Sequence, residues 1–170
     1  WIRRQRQMCI RDSPATSEVI ATIPRSNLND VNEAVLAADK ARDNWSSLSL
    51  DERRKWLEKI ANALEARSEE IAKLESLDTG KPIKIARAVD ASRSVANFRF
   101  FAEFSKDFHE QKFLMEDATN HVIFKPVGIA GLITPWNLPL YLLSWKIAPA
   151  IVMGNTCLLY TSDAADESRG

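Results

Sequence analysis

The stretch Gly131-Leu-Ile-Thr-Pro-Trp-Asn137-Leu-Pro139 carries the residue types best suited to chemistry. It joins the end of an apolar, glycine-punctuated run, Val127–Ile133, to the start of Leu138–Met153, an apolar segment of helical character. That order is strand, turn, helix, and ligands of α/β proteins bind beyond the carboxyl ends of strands, beside helix amino termini. Pro135 and Pro139 stiffen the turn, while Asn137 offers a neutral side-chain amide. An amide donor held next to developing negative charge stabilises the oxyanion of an acyl-transfer intermediate. The same side chain could instead cap the following helix, so two roles stand open for Asn137. His109 and His121 are isolated, which points to surface or packing roles and to no metal site.

The elements that position this junction are mostly helical. Val19–Ile23 alternates weakly and ends at Pro24, which suits a short edge strand. Asn29 or Asp30 is expected to cap a first helix with Val31, Ala34, Val35 and Ala38 on its apolar face, continuing toward Trp45. Ser49-Leu-Asp-Glu52 is a capping box, opening a helix with Trp56, Leu57, Ile60, Ala63 and Leu64 on one side. Ser68 starts a third helix, striped by Ile71, Leu74 and Leu77 and stopped at Gly80. A fourth spans roughly Ile83–Phe104, and its aromatic cluster of Phe98, Phe100, Phe101 and Phe104 reads as core packing. Lys106–Asp117 reads as a polar connection, His121–Lys125 as a strand, and Val127–Ile133 as a buried strand. In the last helix Pro139 fits the first turn, and Pro149 should kink or interrupt it. A helical layer followed by strand–turn–helix predicts an α/β fold, opening on a Rossmann-like domain and incomplete as a doubly wound sheet.

Composition excludes several functions. Lys plus Arg and Asp plus Glu are 23 each, so no charge excess points to nucleic acid or an anionic membrane. Apolar residues make up 45% and charged residues 27%, the balance of a soluble, cytoplasmic protein. No apolar run reaches the roughly 18 residues of a membrane span, and no signal-peptide core follows the basic start. The two ends stand apart. Residues 1–13, WIRRQRQMCIRDS, and 157–170, CLLYTSDAADESRG, carry no periodicity that continues into their neighbours. Both resemble translations of a transposase-type sequencing adapter, one end its forward strand and the other its reverse complement. They are set aside from the fold, which leaves residues 14–156 as the domain. Both cysteines, Cys9 and Cys157, fall within these ends, so no thiol chemistry is assigned to the domain. A basic arm contacting phosphate through Arg3, Arg4, Arg6 and Arg11 is the other reading of the start.

Thr134-Pro-Trp-Asn-Leu-Pro139, then Ser144-Trp-Lys-Ile-Ala-Pro-Ala150 and Gly154-Asn-Thr156, resemble the aldehyde dehydrogenase superfamily. Pro14-Ala-Thr-Ser-Glu-Val19, Asp78-Thr-Gly-Lys-Pro82 and Lys125-Pro-Val-Gly128 resemble its earlier landmarks, in the same order. The resemblance implies that Asn137 helps hold the oxyanion of a thiohemiacetal. It implies that Ile133, Thr134, Pro135 and Trp136 form part of a nicotinamide pocket for NAD, with NADP as the alternative. Lys146 resembles a lysine of the family's proton relay, although a solvent-facing lysine would look the same. The family's nucleophilic Cys and water-activating Glu are expected further along, so the chain alone is expected to be inactive. After Asn155-Thr156 the sequence departs from the Lys-Pro-Ser-Glu continuation of the family.

Arg93-Ser-Val-Ala-Asn-Phe-Arg-Phe-Phe101 and Asn137-Leu-Pro-Leu-Tyr-Leu-Leu143 resemble the branch acting on 2-aminomuconic or 2-hydroxymuconic semialdehyde. That likeness implies that Arg93 binds a substrate carboxylate, although Ser92 stands where a proline is expected and an ordinary surface arginine remains open. The partners implied are a small aldehyde and, for the whole enzyme, further copies of itself. Specificity for betaine aldehyde or aliphatic aldehydes, and a noncatalytic helical module that binds a partner, are the alternatives.

Overall fold

The computed structural model describes residues 8–161. Helix starts follow the capping chemistry. Helix α1 (Leu28–Ser46) is capped by Asn27 rather than Asn29 or Asp30. Asn27 has extended backbone and its side chain accepts from the Asn29 and Asp30 amides, while Asp30 answers from the third helical position. Helix α2 (Leu50–Ala66) opens with the expected box. The Ser49 hydroxyl accepts from the Glu52 amide at 3.2 Å, and the Glu52 carboxylate accepts from the Ser49 amide at 2.8 Å. The Ser49 amide, and then the Ser49 hydroxyl donating at 2.8 Å, hold the Glu52 carboxyl below its ordinary range.

Helix α3 (Ser68–Thr79) ends at Gly80, whose φ of 71° is left-handed. A Cβ there would also lie 2.8 Å from the Pro14 ring, so the position requires glycine twice over. The expected fourth helix is one continuous run in three parts: α4 (Ile83–Ile85), a π-helical turn (Ala86–Ala91) and α5 (Ser92–Phe104). The polar connection contains a strand that sequence did not suggest, β3 (Gln111–Leu114), paired antiparallel with β4 (Thr119–Val122). Every residue of both strands is exposed, so no buried face imposes the alternation by which strands are read. Strand β5 (Ile129–Thr134), helix α6 (Pro139–Val152) and strand β6 (Thr156–Thr161) form a βαβ unit. Its strands are parallel, from Ile129 opposite Thr156 to Thr134 opposite Thr161. Helix α6 accepts Pro139 at its start and continues through Pro149 without interruption.

The adapter-like ends also enter strands where they are described. Strand β1 (Met8–Asp12) pairs antiparallel with β2 (Val19–Pro24), and β6 takes in residues beyond Thr156. Ladder bonds use the main chain, which offers a donor at every non-proline residue whatever its side chain. Arg11 is spent in a pair with Asp78, one guanidinium nitrogen reaching both carboxylate oxygens at 2.7 and 2.8 Å, rather than free for phosphate. Residues 1–7 and 162–170, including Arg3, Arg4 and Arg6, lie outside the described residues.

The core lies between α2, α5 and α6, where Leu57, Ala61, Val95, Phe98, Ala102, Ala148 and Val152 are buried together. Three of these seven are alanines, one on each helix, which let the helix axes approach closely. A second cluster joins Ala72 of α3 to Ala86 and Ala91 of the π turn, while Leu74 and Leu77 of the expected stripe are 55% and 43% exposed. The aromatic cluster divides as well: Phe98 is buried, whereas Phe100 and Phe104 are exposed and stack at 5.7 Å. Among the described residues no helix is long and apolar enough to cross a membrane.

Two adjacent arginines of α2 close the ends of two other helices. Arg53 donates to the carbonyls of Val152 (2.8 Å), Ser46 (3.3 Å) and Leu48, joining the end of α6 to the α1–α2 turn. Arg54 donates to the Ala102 carbonyl at 2.6 Å, in the last turn of α5. Final-turn carbonyls lack intrahelical donors, and a cation there also meets the negative end of the helix dipole. Trp45 adds a bond to the Ile151 carbonyl at 2.9 Å. Arg53→Ala should therefore lower the unfolding free energy by about 2–3 kcal/mol in urea denaturation, with Arg53→Lys recovering less than half. A loss below about 0.5 kcal/mol, the range of an ordinary surface substitution, would contradict the clamp.

Candidate active site at the start of the last helix

Strand alternation presents the end of β5 to two environments. Thr134 is fully buried, its hydroxyl 3.4 Å from the Tyr160 carbonyl, while the Ile133 side chain is 61% exposed. The chain then turns through Pro135, Trp136 and Asn137 before α6. Trp136 is 45% exposed. Leu138, not Asn137, occupies the cap position of α6, and neither residue's side chain makes a capping bond there. The capping role left open for Asn137 is therefore removed, and its side chain stands exposed beside the helix start.

Three cation or carboxylate contacts hold the turn by its backbone. The Glu75 carboxylate accepts from the Leu140 amide at 3.2 Å. The Lys81 ammonium lies 3.5 Å from the Asn137 carbonyl and 2.9 Å from each oxygen of Asp90, which is fully buried. The Lys146 ammonium, one face along α6, donates back to the Ile133 carbonyl at the end of β5. Burial raises the Glu75 carboxyl above its ordinary value, with Asp90 adding repulsion, against the Leu140 bond and Lys81.

Arg93 of α5 reaches the same end of the molecule. Its guanidinium is 3.4 Å from the Tyr141 hydroxyl and 5.7 Å from the centre of that ring. Bonds from Trp145 and Arg93 hold the Tyr141 hydroxyl below its ordinary pKa. Beneath them the Asn97 amide donates to the Ser144 hydroxyl at 2.7 Å, a buried polar link that fixes the register of α5 against α6. Trp145 packs edge-on to Phe101 at 5.7 Å.

The structure thus places Ile133, Thr134, Pro135, Trp136 and Asn137 on the path from β5 into α6, Arg93 against Tyr141 in the first turn of α6, and Lys146 midway along that helix, reaching back to the Ile133 carbonyl. Sequence reasoning missed Glu75, Lys81 and Asp90. Lys81 was visible only as part of the Asp78–Pro82 landmark. Asp90 lies among alanines on the buried side of its helical run, and that position was its one signal. Cys157 lies in β6, half-buried, with burial raising its thiol pKa, the opposite of an activated nucleophile. Among the described residues no group of His, Cys, Asp and Glu is placed to hold a metal.

A model of the aldehyde dehydrogenase family matches residues 1–166. The 2-aminomuconic semialdehyde dehydrogenase of Danio rerio is 49% identical over 153 residues, covering 88% of this chain and 31% of that protein. The 2-hydroxymuconic semialdehyde dehydrogenase of Pseudomonas sp. (strain CF600) is 38% identical, covering 89% and 32%. The crystal structure of PnpE in complex with nicotinamide adenine dinucleotide superposes with a TM-score of 0.87 at 37% identity, covering 91% of this chain and 32% of that one. The NADP complex of glyceraldehyde-3-phosphate dehydrogenase GapN from Methanocaldococcus jannaschii superposes at 0.86 with 35% identity, covering 92% and 34%. The chain spans about a third of the length of these relatives. On the extent of this match and the shared fold, the chain belongs to the aldehyde dehydrogenase family.

Proposed function

We propose that the chain is the opening third of an NAD-dependent aldehyde dehydrogenase that oxidises a muconic-type semialdehyde to a carboxylic acid. The observation that carries this reading is the exposed Asn137 amide at a helix start whose backbone is fixed by Glu75 and Lys81. A preorganised neutral donor there stabilises an oxyanion without reorganisation during the reaction. Lys146 is held at the end of β5 by the Ile133 carbonyl, close enough in the fold to move a proton at that edge.

The partly exposed side chains of Ile133 and Trp136, at and just beyond the carboxyl end of a parallel strand, suit one flat face of a nicotinamide dinucleotide. Ile133, Thr134, Pro135 and Trp136 would hold that part of the cofactor, with Thr134 as the buried support. When bound, the dinucleotide supplies a hydride acceptor. NAD is proposed over NADP from the likeness to PnpE, whose structure holds nicotinamide adenine dinucleotide.

Arg93 offers a planar, permanently charged fork beside the same turn, suited to a substrate carboxylate. Its hold on the Tyr141 hydroxyl is long, at 3.4 Å, so a carboxylate can displace it. The Cys nucleophile and the Glu that activates water belong, in this reading, to the remaining two thirds of the parent. The parent is further proposed to be a cytoplasmic homo-oligomer.

Two outcomes follow. Mixed with NAD and a muconic-type semialdehyde, the 170-residue chain should give no aldehyde-dependent rise in absorbance of the reduced cofactor. Turnover by the chain alone would overturn the assignment of Cys and Glu to another segment. In the full-length parent, Arg93→Ala should raise KM at least tenfold for a carboxylated semialdehyde, a loss of about 1.4 kcal/mol or more. KM for a neutral aldehyde should change less than threefold, and equal effects on both would remove Arg93 from the substrate site.

A further inference from the structure

We propose that Glu75, Lys81 and Asp90 are positioning residues that latch the Asn137–Leu140 turn, with the Glu75 carboxylate as its direct hold on the first turn of α6. The proposal deepens the oxyanion role proposed for Asn137 and rests on it only for its catalytic consequence.

The geometry is specific. Leu140 is the first residue of α6 with an amide hydrogen, because Pro139 precedes it, and first-turn amides have no intrahelical acceptor. Glu75 Oε1 supplies that acceptor at 3.2 Å. Two residues further, the Leu142 amide already bonds to the Leu138 carbonyl at 2.9 Å. Glu75 is therefore the protein group that closes the gap between turn and helix. Its second oxygen is buried without a hydrogen bond and lies 3.8 Å from the Lys81 ammonium. Lys81 in turn spans Asp90 and the Asn137 carbonyl. One lysine thus ties the carbonyl that carries Asn137 to a carboxylate enclosed by the π turn.

The charged groups facing Glu75 are Asp78 on its own helix, Lys81 in the α3–α4 connection and Asp90 in the π turn. Asp78 is itself paired with Arg11 of β1. Helix α6 presents only the Leu140 amide. Burial first, then Asp90, raises the Glu75 carboxyl above 4.5, so it takes up a proton under milder acid than an ordinary glutamate. The sign is opposite for latch and fold. A raised carboxyl means the folded state binds more protons than the unfolded one between the ordinary glutamate value and the raised one. Lowering pH from the raised Glu75 value toward that of an ordinary glutamate therefore relieves the cost of keeping Glu75 ionised. The same proton weakens the acceptor for Leu140, because a neutral carboxyl is a poorer acceptor than a carboxylate.

Amide spectroscopy of the nitrogen-15-labelled 170-residue chain between pH 4 and 8 tests the latch. The Leu140 amide should titrate with a midpoint above 4.5. Its hydrogen-exchange protection relative to Leu142 should fall at least fivefold below that midpoint. Glu75→Gln keeps a carbonyl acceptor, so the bond should persist while the titration disappears. Glu75→Leu should cut Leu140 protection tenfold or more and leave Leu142 unchanged. An unmoving Leu140 amide in the unsubstituted chain, or an identical titration in Glu75→Gln, overturns the proposal. The unsubstituted titration decides the matter even if a variant fails to fold. The readout is geometric: a latch seen in a chain whose parent lacks dehydrogenase activity would stand, and only the proposed function would fall.

Discussion

A carboxylate with no exposure to water must have a partner, and Asp90 has Lys81. An isolated buried charge costs several kcal/mol even after relaxation, so removing one member of such a pair is far more damaging than its net contribution suggests. Both Asp90 oxygens lie 2.9 Å from the ammonium, and that demand fixes where Lys81 can be. Lys81 follows Gly80, whose left-handed backbone ends α3 and turns the chain back toward the π segment. The π turn carries Asp90 between two buried alanines and faces it toward the lysine. With the ammonium so held, its remaining donor capacity reaches the Asn137 carbonyl. A local rule of burial thereby sets the backbone of a turn 56 residues away in sequence.

Helix α6 is consequently held at both ends by earlier helices. Glu75 and Lys81 hold its start, while Arg53 and Trp45 take carbonyls from its last turn. Between these ends, small residues on α5 and α6 allow close packing, and the Asn97–Ser144 bond selects one register. The strand pair β5–β6 gains its carboxyl edge from this arrangement, because Lys146 on the fixed helix bonds to the Ile133 carbonyl. The helical layer is thus the platform for the site, and the strands present it.

The capping box at Ser49 was legible because a side chain and a backbone donor meet at fixed spacing, whereas the start of α1 was read two or three residues late, at Asn29 or Asp30 instead of Asn27. Gly80 was legible for the same reason, as a helix stop. The site turn was legible because proline, asparagine and glycine types constrain backbone and offer donors together. Strand β3 was not, since a strand exposed on both faces leaves no alternation, while the strand read at His121–Lys125 meets β4 only at His121 and Val122. Leu74 and Leu77 misled because apolar periodicity marks a face but not what covers it, and Ala72 made the closer contact. Glu75, Lys81 and Asp90 escaped notice because a charged residue on a helix reads as solvated until a partner distant in sequence is known. Strands β1 and β6 fell in segments set aside for their likeness to adapter translations, while main-chain pairing asks little of side-chain identity.

The most direct measurement is a double-mutant cycle between Lys81 and Asp90, read by urea denaturation of the chain carrying Lys81→Met, Asp90→Asn or both. If the buried pair organises the turn, each single change costs about 3–5 kcal/mol because it strands the other charge. The double variant then costs about 2–3 kcal/mol less than the sum of the two singles. Additive losses, or single losses under about 1 kcal/mol, would mean that the pair is incidental and that packing alone sets the start of α6.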